Sequence, residues 1–304
     1  ARNVFGGWQV GSSQVGGYNT SIWGGFDGTK TWAGIQVGDV NADGKDDIVG
    51  FIPSVGSWWA AVSNGTSFTN HLLAQFSSSV TWVDHLVADF TGDGRADVAA
   101  RTNFGEWWLG ETLAPVGTLS RLDKLTTWST SVAWRDVNAA DINGDGKADI
   151  VGRADYTGFD GSQWWLAQTR LNAPNDYVGD LSALAYWYEP AGWTTVIADT
   201  DGDGKDEILG RTNDGAWWSV SQNLGTNTVF YGAWANTTWD ATLVGDVDHD
   251  GKEDLIGRRD NGQWIVSRFP AGAGSKVDNN PANWSASVDW LFSNYGEDND
   301  LLFP

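Results

Sequence analysis

The 304-residue chain has no cysteine and no methionine, only 7 prolines, and 18 basic side chains against 39 acidic ones. The missing cysteine excludes disulfides, thiol catalysis and Cys-ligated zinc. The shortage of positive charge, a formal net of −21, argues against a surface that tracks nucleic-acid phosphates or anionic lipid. No run of 18 or more apolar residues occurs, so no membrane-inserted helix is expected. The opening ARNVFGGWQV does not read as a signal peptide. Cohesion must therefore come from packing, for which the chain supplies 21 tryptophans, and from whatever neutralises its acid.

The acid is not scattered. One phrase recurs five times: GDVNADGKDDIVGF (38–51), ADFTGDGRADVAAR (88–101), ADINGDGKADIVGR (140–153), ADTDGDGKDEILGR (198–211) and GDVDHDGKEDLIGR (245–258). Its first Asp falls at Asp39, Asp89, Asp141, Asp199 and Asp246, at gaps of 50, 52, 58 and 47 residues. A Trp stands six or seven residues before each loop: Trp32, Trp82, Trp134, Trp193 and Trp239. A Trp pair follows each loop (Trp58-Trp59, Trp107-Trp108, Trp164-Trp165, Trp217-Trp218), reduced in the fifth unit to Trp264-Ile265. A fixed period of this length marks a repeat architecture.

Each unit reads as four short strands rich in Val, Ile and Trp, with Gly and Asn at the turns. In the fifth unit these are ATLVGD, DLIGRR, GQWIVSR and a stretch around SKVD. Four antiparallel strands per repeat of this size describe a propeller blade. The expected fold is all-β: a six-bladed β-propeller of four-stranded antiparallel blades in a single domain, 1–304. RNVFGGWQV (2–10) matches RTNFGEWWL (101–109), and SVDW (287–290) matches SVTW (79–82) and SVAW (131–134). The sixth blade is thus expected to be split between 1–30 and 285–304. C-terminal strands would pair with N-terminal strands, closing the ring and removing its open edge. Adjacent residues of a strand face opposite ways, so the Trp pairs are expected to fill the gaps on both sides of each blade.

Carboxylates this crowded repel one another unless a cation sits among them. In the fifth loop Asp246, Asp248, Asp250 and Asp254 hold positions one, three, five and nine. Alternate residues of a tight loop can face one centre, and Lys252 at position seven can offer its backbone carbonyl. The same positions are Asp39, Asn41, Asp43, Lys45 and Asp47 in the first loop, and Asp89, Thr91, Asp93, Arg95 and Asp97 in the second. They are Asp141, Asn143, Asp145, Lys147 and Asp149 in the third, and Asp199, Asp201, Asp203, Lys205 and Glu207 in the fourth. An all-oxygen donor set fits Ca2+ rather than zinc or copper, and about five ions are expected, one per loop. Ligand charge tunes calcium affinity, so the second loop, with Thr91, is expected to be weakest. The stretch from Trp290 to Asp300 is too short for the cage, and Asp298 and Asp300 are expected to carry no ion.

DINGDGKADIVGR and its siblings resemble the FG-GAP (VCBS) repeats of integrin α-subunit propellers, which also occur in bacterial secreted and surface proteins and in fungal lectins. The resemblance runs the length of the chain. It implies calcium loops joining the first and second strands of the blades, bracing one rim of a propeller, in an extracellular setting. The chain departs from the integrin pattern in showing six units rather than seven, and its FG-GAP signature is blurred.

A fold does not name a function. Two irregularities sit in the third unit: ADYTGFDGSQ (154–163) and TRLNAPNDYVGDLSALAYWYEPAG (169–192). Tyr156, Asp160, Tyr186, Trp187, Tyr188 and Glu189 gather rings for a sugar's apolar face and carboxylates for its hydroxyls. The competing reading is a surface insertion whose rings pack locally. Arg101, Arg153, Arg211 and Arg258 end the second strand of four units. They either clamp acidic sugars or lie over a neighbouring Trp. His71, His85 and His249 form no triad or metal cluster in sequence order, and no catalytic residue is assigned. Three functions stay open. One is a calcium-stabilised binding or adhesion module for a glycan or an extracellular protein ligand. The second is a polysaccharide lyase or glycoside hydrolase on the same fold. The third is an interaction or spacer module of a larger surface protein. A secreted or cell-surface monomer is expected.

Overall fold

The computed structural model describes residue 3 and residues 5–14, 17–156, 161–169, 181–188, 191–220, 229–234, 238–247, 250–260 and 264–267. The expected strand around SKVD, the half-blade at 285–304, Asp160, Glu189, Asp248 and His249 lie outside the described residues. The strands fall into two compact units, β1–β10 and β11–β21, each taken by itself below.

In the first unit a two-stranded ribbon pairs β1 (Gly7–Gln14) with β2 (Gly17–Gly25). Blade one follows as β3 (Ala33–Gly38), β4 (Asp47–Ile52), β5 (Ser57–Ser63) and β6 (Phe68–Gln75). Blade two is β7 (Trp82–Ala88), β8 (Asp97–Thr102), β9 (Glu106–Gly110) and β10 (Leu122–Thr127). In the second unit blade three is β11 (Ala133–Ala140), β12 (Asp149–Asp155), β13 (Gly161–Ala167) and β14 (Ser182–Tyr188). Blade four is β15 (Trp193–Ala198), β16 (Glu207–Thr212), β17 (Ala216–Val220) and β18 (Val229–Ala233). Blade five shows β19 (Trp239–Gly245), β20 (Asp254–Arg259) and β21 (Trp264–Ser267). Strand order in every sheet follows the chain, and every neighbour is antiparallel.

The described residues hold five blades, not the six expected from the repeat count. The β1–β2 ribbon has the Trp8 of a third strand, and the strands expected to complete its blade, at 285–304, lie outside the described residues.

Second strands are the most deeply buried, and β4 and β8 are buried at every position. The first Trp of each pair (Trp58, Trp107, Trp164, Trp217) is fully buried, while the second is half-buried. Trp58 packs with Val87 and Val98 of blade two, and Trp59 with the Trp8 and Phe26 cluster on the other side. The pairs do fill both faces of a blade.

A second set of aromatics completes the packing. Trp107 meets Trp128 edge-to-face at 5.4 Å, Trp164 meets Trp187 at 5.3 Å, and Trp217 meets Trp234 at 5.1 Å. No oxygen accepts the indole N–H of Trp58, Trp107, Trp164 or Trp217. The recurring T-shaped contact is one in which the face of a ring can serve as acceptor instead. The partner ring then packs on the first-strand Trp of the following blade: Phe26 stacks on Trp32 at 4.1 Å and Trp187 on Trp193 at 4.2 Å, and Trp234 meets Trp239 tilted at 4.3 Å. Glycine in the second strand makes the room. A β-carbon on Gly210 would stand 2.5 Å from Trp187, and one on Gly257 would stand 2.4 Å from Trp239.

Candidate functional site

Each acidic loop joins the first and second strands of its blade. The position-one carboxylate accepts the backbone N–H of the position-six glycine in all five loops: Gly44 at 2.7 Å, Gly94 at 2.7 Å, Gly146 at 2.8 Å, Gly204 at 2.9 Å and Gly251 at 3.0 Å. This curls the loop around its own acid. Position four needs a left-handed backbone, and Gly92, Gly144 and Gly202 supply it with φ of 75°, 74° and 76°. The first loop places Ala42 there at φ 59°, a strain that the second, third and fourth loops avoid.

In the fourth loop Asp199, Asp201 and Asp203 bring one carboxylate oxygen each within 4.8 Å of one another. Desolvation and the charges of Asp203 and Asp199 push the Asp201 carboxyl above its ordinary range. Position seven adds a counter-charge through its side chain. Lys45, Arg95, Lys205 and Lys252 fold back onto the position-five carboxylate at 3.1, 2.6, 3.3 and 3.6 Å. Position nine is buried and faces the backbone. Asp47 accepts the N–H of Val40 at 3.0 Å and of Ser63 at 2.7 Å, and Asp97 that of Phe90 at 3.1 Å and Thr112 at 2.8 Å. Burial pushes the Asp97 and Glu207 carboxyls up to about 7 and that of Asp47 to about 6.

Successive loops are also stitched together at position eight. Ala96 N–H donates to Asp39 O at 2.7 Å in the first unit. In the second unit Asp206 donates to Asp141 O at 2.9 Å and Glu253 to Asp199 O at 2.8 Å. The Asp206 and Glu253 carboxylates return the bond, accepting the N–H of Asp141 at 2.6 Å and of Asp199 at 3.0 Å.

Of the six residues marked as candidate ligand contacts, Tyr156, Tyr186 and Tyr188 are exposed. Trp187 is 2 % exposed and belongs to the aromatic packing just described. Strand alternation explains the split, since Trp187 must face opposite to both its neighbours. Tyr186 lies across Gly161, where a β-carbon would sit 2.3 Å from the phenol. The backbone carbonyl of Tyr188 accepts Trp193 Nε1 at 2.9 Å, tying this strand to blade four. His85 is half-buried with its ring 4.9 Å from that of Phe51, and desolvation lowers its pKa.

Blade four carries a cleft of about 460 Å³ at its second-to-third strand turn, lined among others by Trp193, Thr212, Asn213, Asp214 and Trp218. Two half-buried indoles face it. Asp214 is held by the Thr212 hydroxyl and by Ala216 N–H at 3.4 Å, which keeps its carboxyl below the usual range. The sequence reading assigned Trp218 to packing and passed over Asn213 and Asp214. The available signal was a polar Asn-Asp tip where blade two has Asn103-Phe104.

Among solved structures the chain is similar to a lectin of Agrocybe aegerita described as specifically recognising non-reducing terminal N-acetylglucosamine. The two are 20% identical, with a TM-score of 0.58 over 82% of this chain and 65% of the lectin, so the chain spans less than two thirds of that lectin's length. It is also similar to a triple arginine-to-alanine mutant of AofleA from Arthrobotrys oligospora, 11% identical, with a TM-score of 0.50 over 84% of this chain and 74% of that one. No curated protein matches the sequence significantly. Residues 39–100, which span the first two acidic loops, match the FG-GAP-like repeat family. The same loop recurs in the same strand-to-strand position in all five blades, so the stretch that matches the FG-GAP-like repeat family is one part of a repeated β-propeller pattern.

Proposed function

We propose that this is a calcium-braced propeller that binds carbohydrate on the rim away from its acidic loops. The observation that carries the reading is the blade-four cleft. Trp193 and Trp218 offer faces for the apolar side of a pyranose, and Asn213 and Asp214 offer an amide and a held carboxylate for its hydroxyls. The exposed Tyr186 and Tyr188 of the preceding blade extend the aromatic surface, Trp187 backing it from inside. The likeness to a lectin that recognises N-acetylglucosamine supports the same class of ligand.

The acidic loops have the donors for calcium. Asp199, Asp201 and Asp203 converge, and Lys205 could add its carbonyl. The ion would supply charge neutralisation and a rigid rim, and it has no role in contacting the sugar. Closure of a sixth blade by residues 285–304 against β1–β2, and a calcium-rich extracellular setting, belong to the same proposal.

The test is a glycan array probed in calcium and again after chelation, with N-acetylglucosamine-terminated sugars included. Binding that Asp214→Ala and Trp218→Ala each abolish in folded protein is the expected result. Binding that survives both, or no binding to any glycan, removes the cleft as a sugar site. A melting temperature unchanged by chelation removes the calcium brace.

A further inference from the structure

We propose that the end of β16 holds a site for the negative charge of an acidic sugar, built on Arg211. The kind of ligand rests on the glycan reading above; the charge it should bear is new.

Blades two to five each end their second strand in arginine, at Arg101, Arg153, Arg211 and Arg258. Three of these have an aspartate from the first strand of their own blade. Arg101 meets Asp84 at 2.6 Å, Arg153 Nε meets Asp136 at 2.8 Å, and Arg258 meets Asp240 at 3.3 Å. Asp84 stands in register opposite Arg101. The residue in register opposite Arg211 is Thr194. Blade four has kept the cation and lost its anion.

Nothing else described replaces that anion. Among the described residues no carboxylate lies within ion-pair distance of Arg211, and its buried Nε donates to no acceptor. Burial without a counter-charge holds its pKa below the usual arginine value. Its guanidinium carbon lies 5.8 Å from the centre of the Trp239 ring, and that of Arg259 lies 5.3 Å from the same ring. Two cations thus converge on one indole in a chain whose net charge is −21. A half-buried guanidinium in this state is stabilised by an incoming carboxylate or sulfate, which it meets with two parallel N–H bonds. Thr194 is exposed and leaves a hydroxyl beside the approach. Arg211 and Thr212 are adjacent on the strand, so the site faces opposite to the cleft that Thr212 lines.

The test titrates the protein calorimetrically with three oligosaccharides of equal length: glucuronate-terminated, sulfated and neutral glucose-terminated. Charged ligands are expected to bind roughly tenfold tighter than the neutral one, the scale of one charge-assisted hydrogen bond. The two charged arms show whether carboxylate or sulfate is preferred. Thr194→Asp, which installs the in-register ion pair of blade two, and Arg211→Gln are both expected to erase that preference. Equal affinity of the unaltered protein for charged and neutral sugars overturns the proposal, as does a preference that persists in both variants. If no sugar binds, the glycan reading fails by itself, and sodium sulfate added during thermal melts decides the anion site. A rise in Tm absent from Thr194→Asp keeps the site. The same rise in both proteins, or none in either, removes it.

Discussion

Blade two and blade four are built on one plan and present different surfaces. Inside, they match: Trp107 and Trp217 are both fully buried and both meet a tryptophan edge-on. At the edges they part. Blade two has Thr91 at loop position three, an Arg101–Asp84 pair and an exposed Phe104 at its hairpin tip. Blade four has Asp201, an Arg211 with no carboxylate among the described residues, and Asp214 in a cleft. Burial on both faces holds the interior to one solution, because an indole of that volume has few substitutes at fixed packing density. Loop and tip positions touch water and are free to diverge, and that is where binding capacity can be added without rebuilding the blade.

The strongest way to test the shared plan is to remove its pivot. Trp107→Ala and Trp217→Ala should each lower stability by about 3–5 kcal/mol in urea unfolding. A loss well under 1 kcal/mol in either would show that the blades do not share an inner pivot. The next largest difference concerns the arginines. Arg101→Gln strands Asp84 in a mostly buried position and should cost about 3 kcal/mol. Arg211→Gln strands no carboxylate, and its effect should stay within about 0.5 kcal/mol. Equal losses would erase the distinction between a paired and an open site.

pH acts on both blades in the same direction. Asp97 and Glu207 have folded pKa values near 7, above their unfolded range, because burial penalises the carboxylate. Between about pH 4 and pH 7 the native state therefore holds more protons than the unfolded state. Their stabilising contribution is complete at low pH and is lost as pH rises through 7. Calcium-stripped protein should melt at a lower temperature at pH 7.5 than at pH 5.0, and added calcium should reduce or reverse that difference. A stripped protein whose Tm rises over this interval would show that other groups dominate.

The finest contrast lies in the loops. Thr91→Asp should strengthen calcium binding in the second loop, and Asp201→Thr should weaken it in the fourth, each by about tenfold in calorimetric titration. No change in either would mean that position three does not face the ion.

Much of this was readable before any coordinate. The strand limits of blade five fall within two residues of ATLVGD, DLIGRR and GQWIVSR, because Val, Ile and Trp alternate there and Gly or Asp closes each end. The acidic loops were legible as strand connections because the same Asp- and Gly-rich phrase recurs at one place in every repeat. The second aromatic set was missed, although its signal is in the spacing. Phe26, Phe76, Trp128 and Trp187 stand six residues before the first-strand Trp of the next unit, and Trp234 stands five before. Trp187 was read together with Tyr186 and Tyr188 as one exposed cluster, when a period of two sends it to the other face. The blade-four cleft could not be read, because Trp193 and Asp214 are far apart in sequence and meet only when β15 pairs with β16.

The sequence by itself determined the repeat, the blade type and the place of the acidic loops between first and second strands, since each depends on residue type at short, regular spacing. Only the tertiary structure decided which tryptophans are walls and which are faces, and which arginine lacks its aspartate. Those outcomes depend on cross-strand register and on what the neighbouring blade covers. A half-buried side chain is defined by its neighbours, and a linear pattern does not name them.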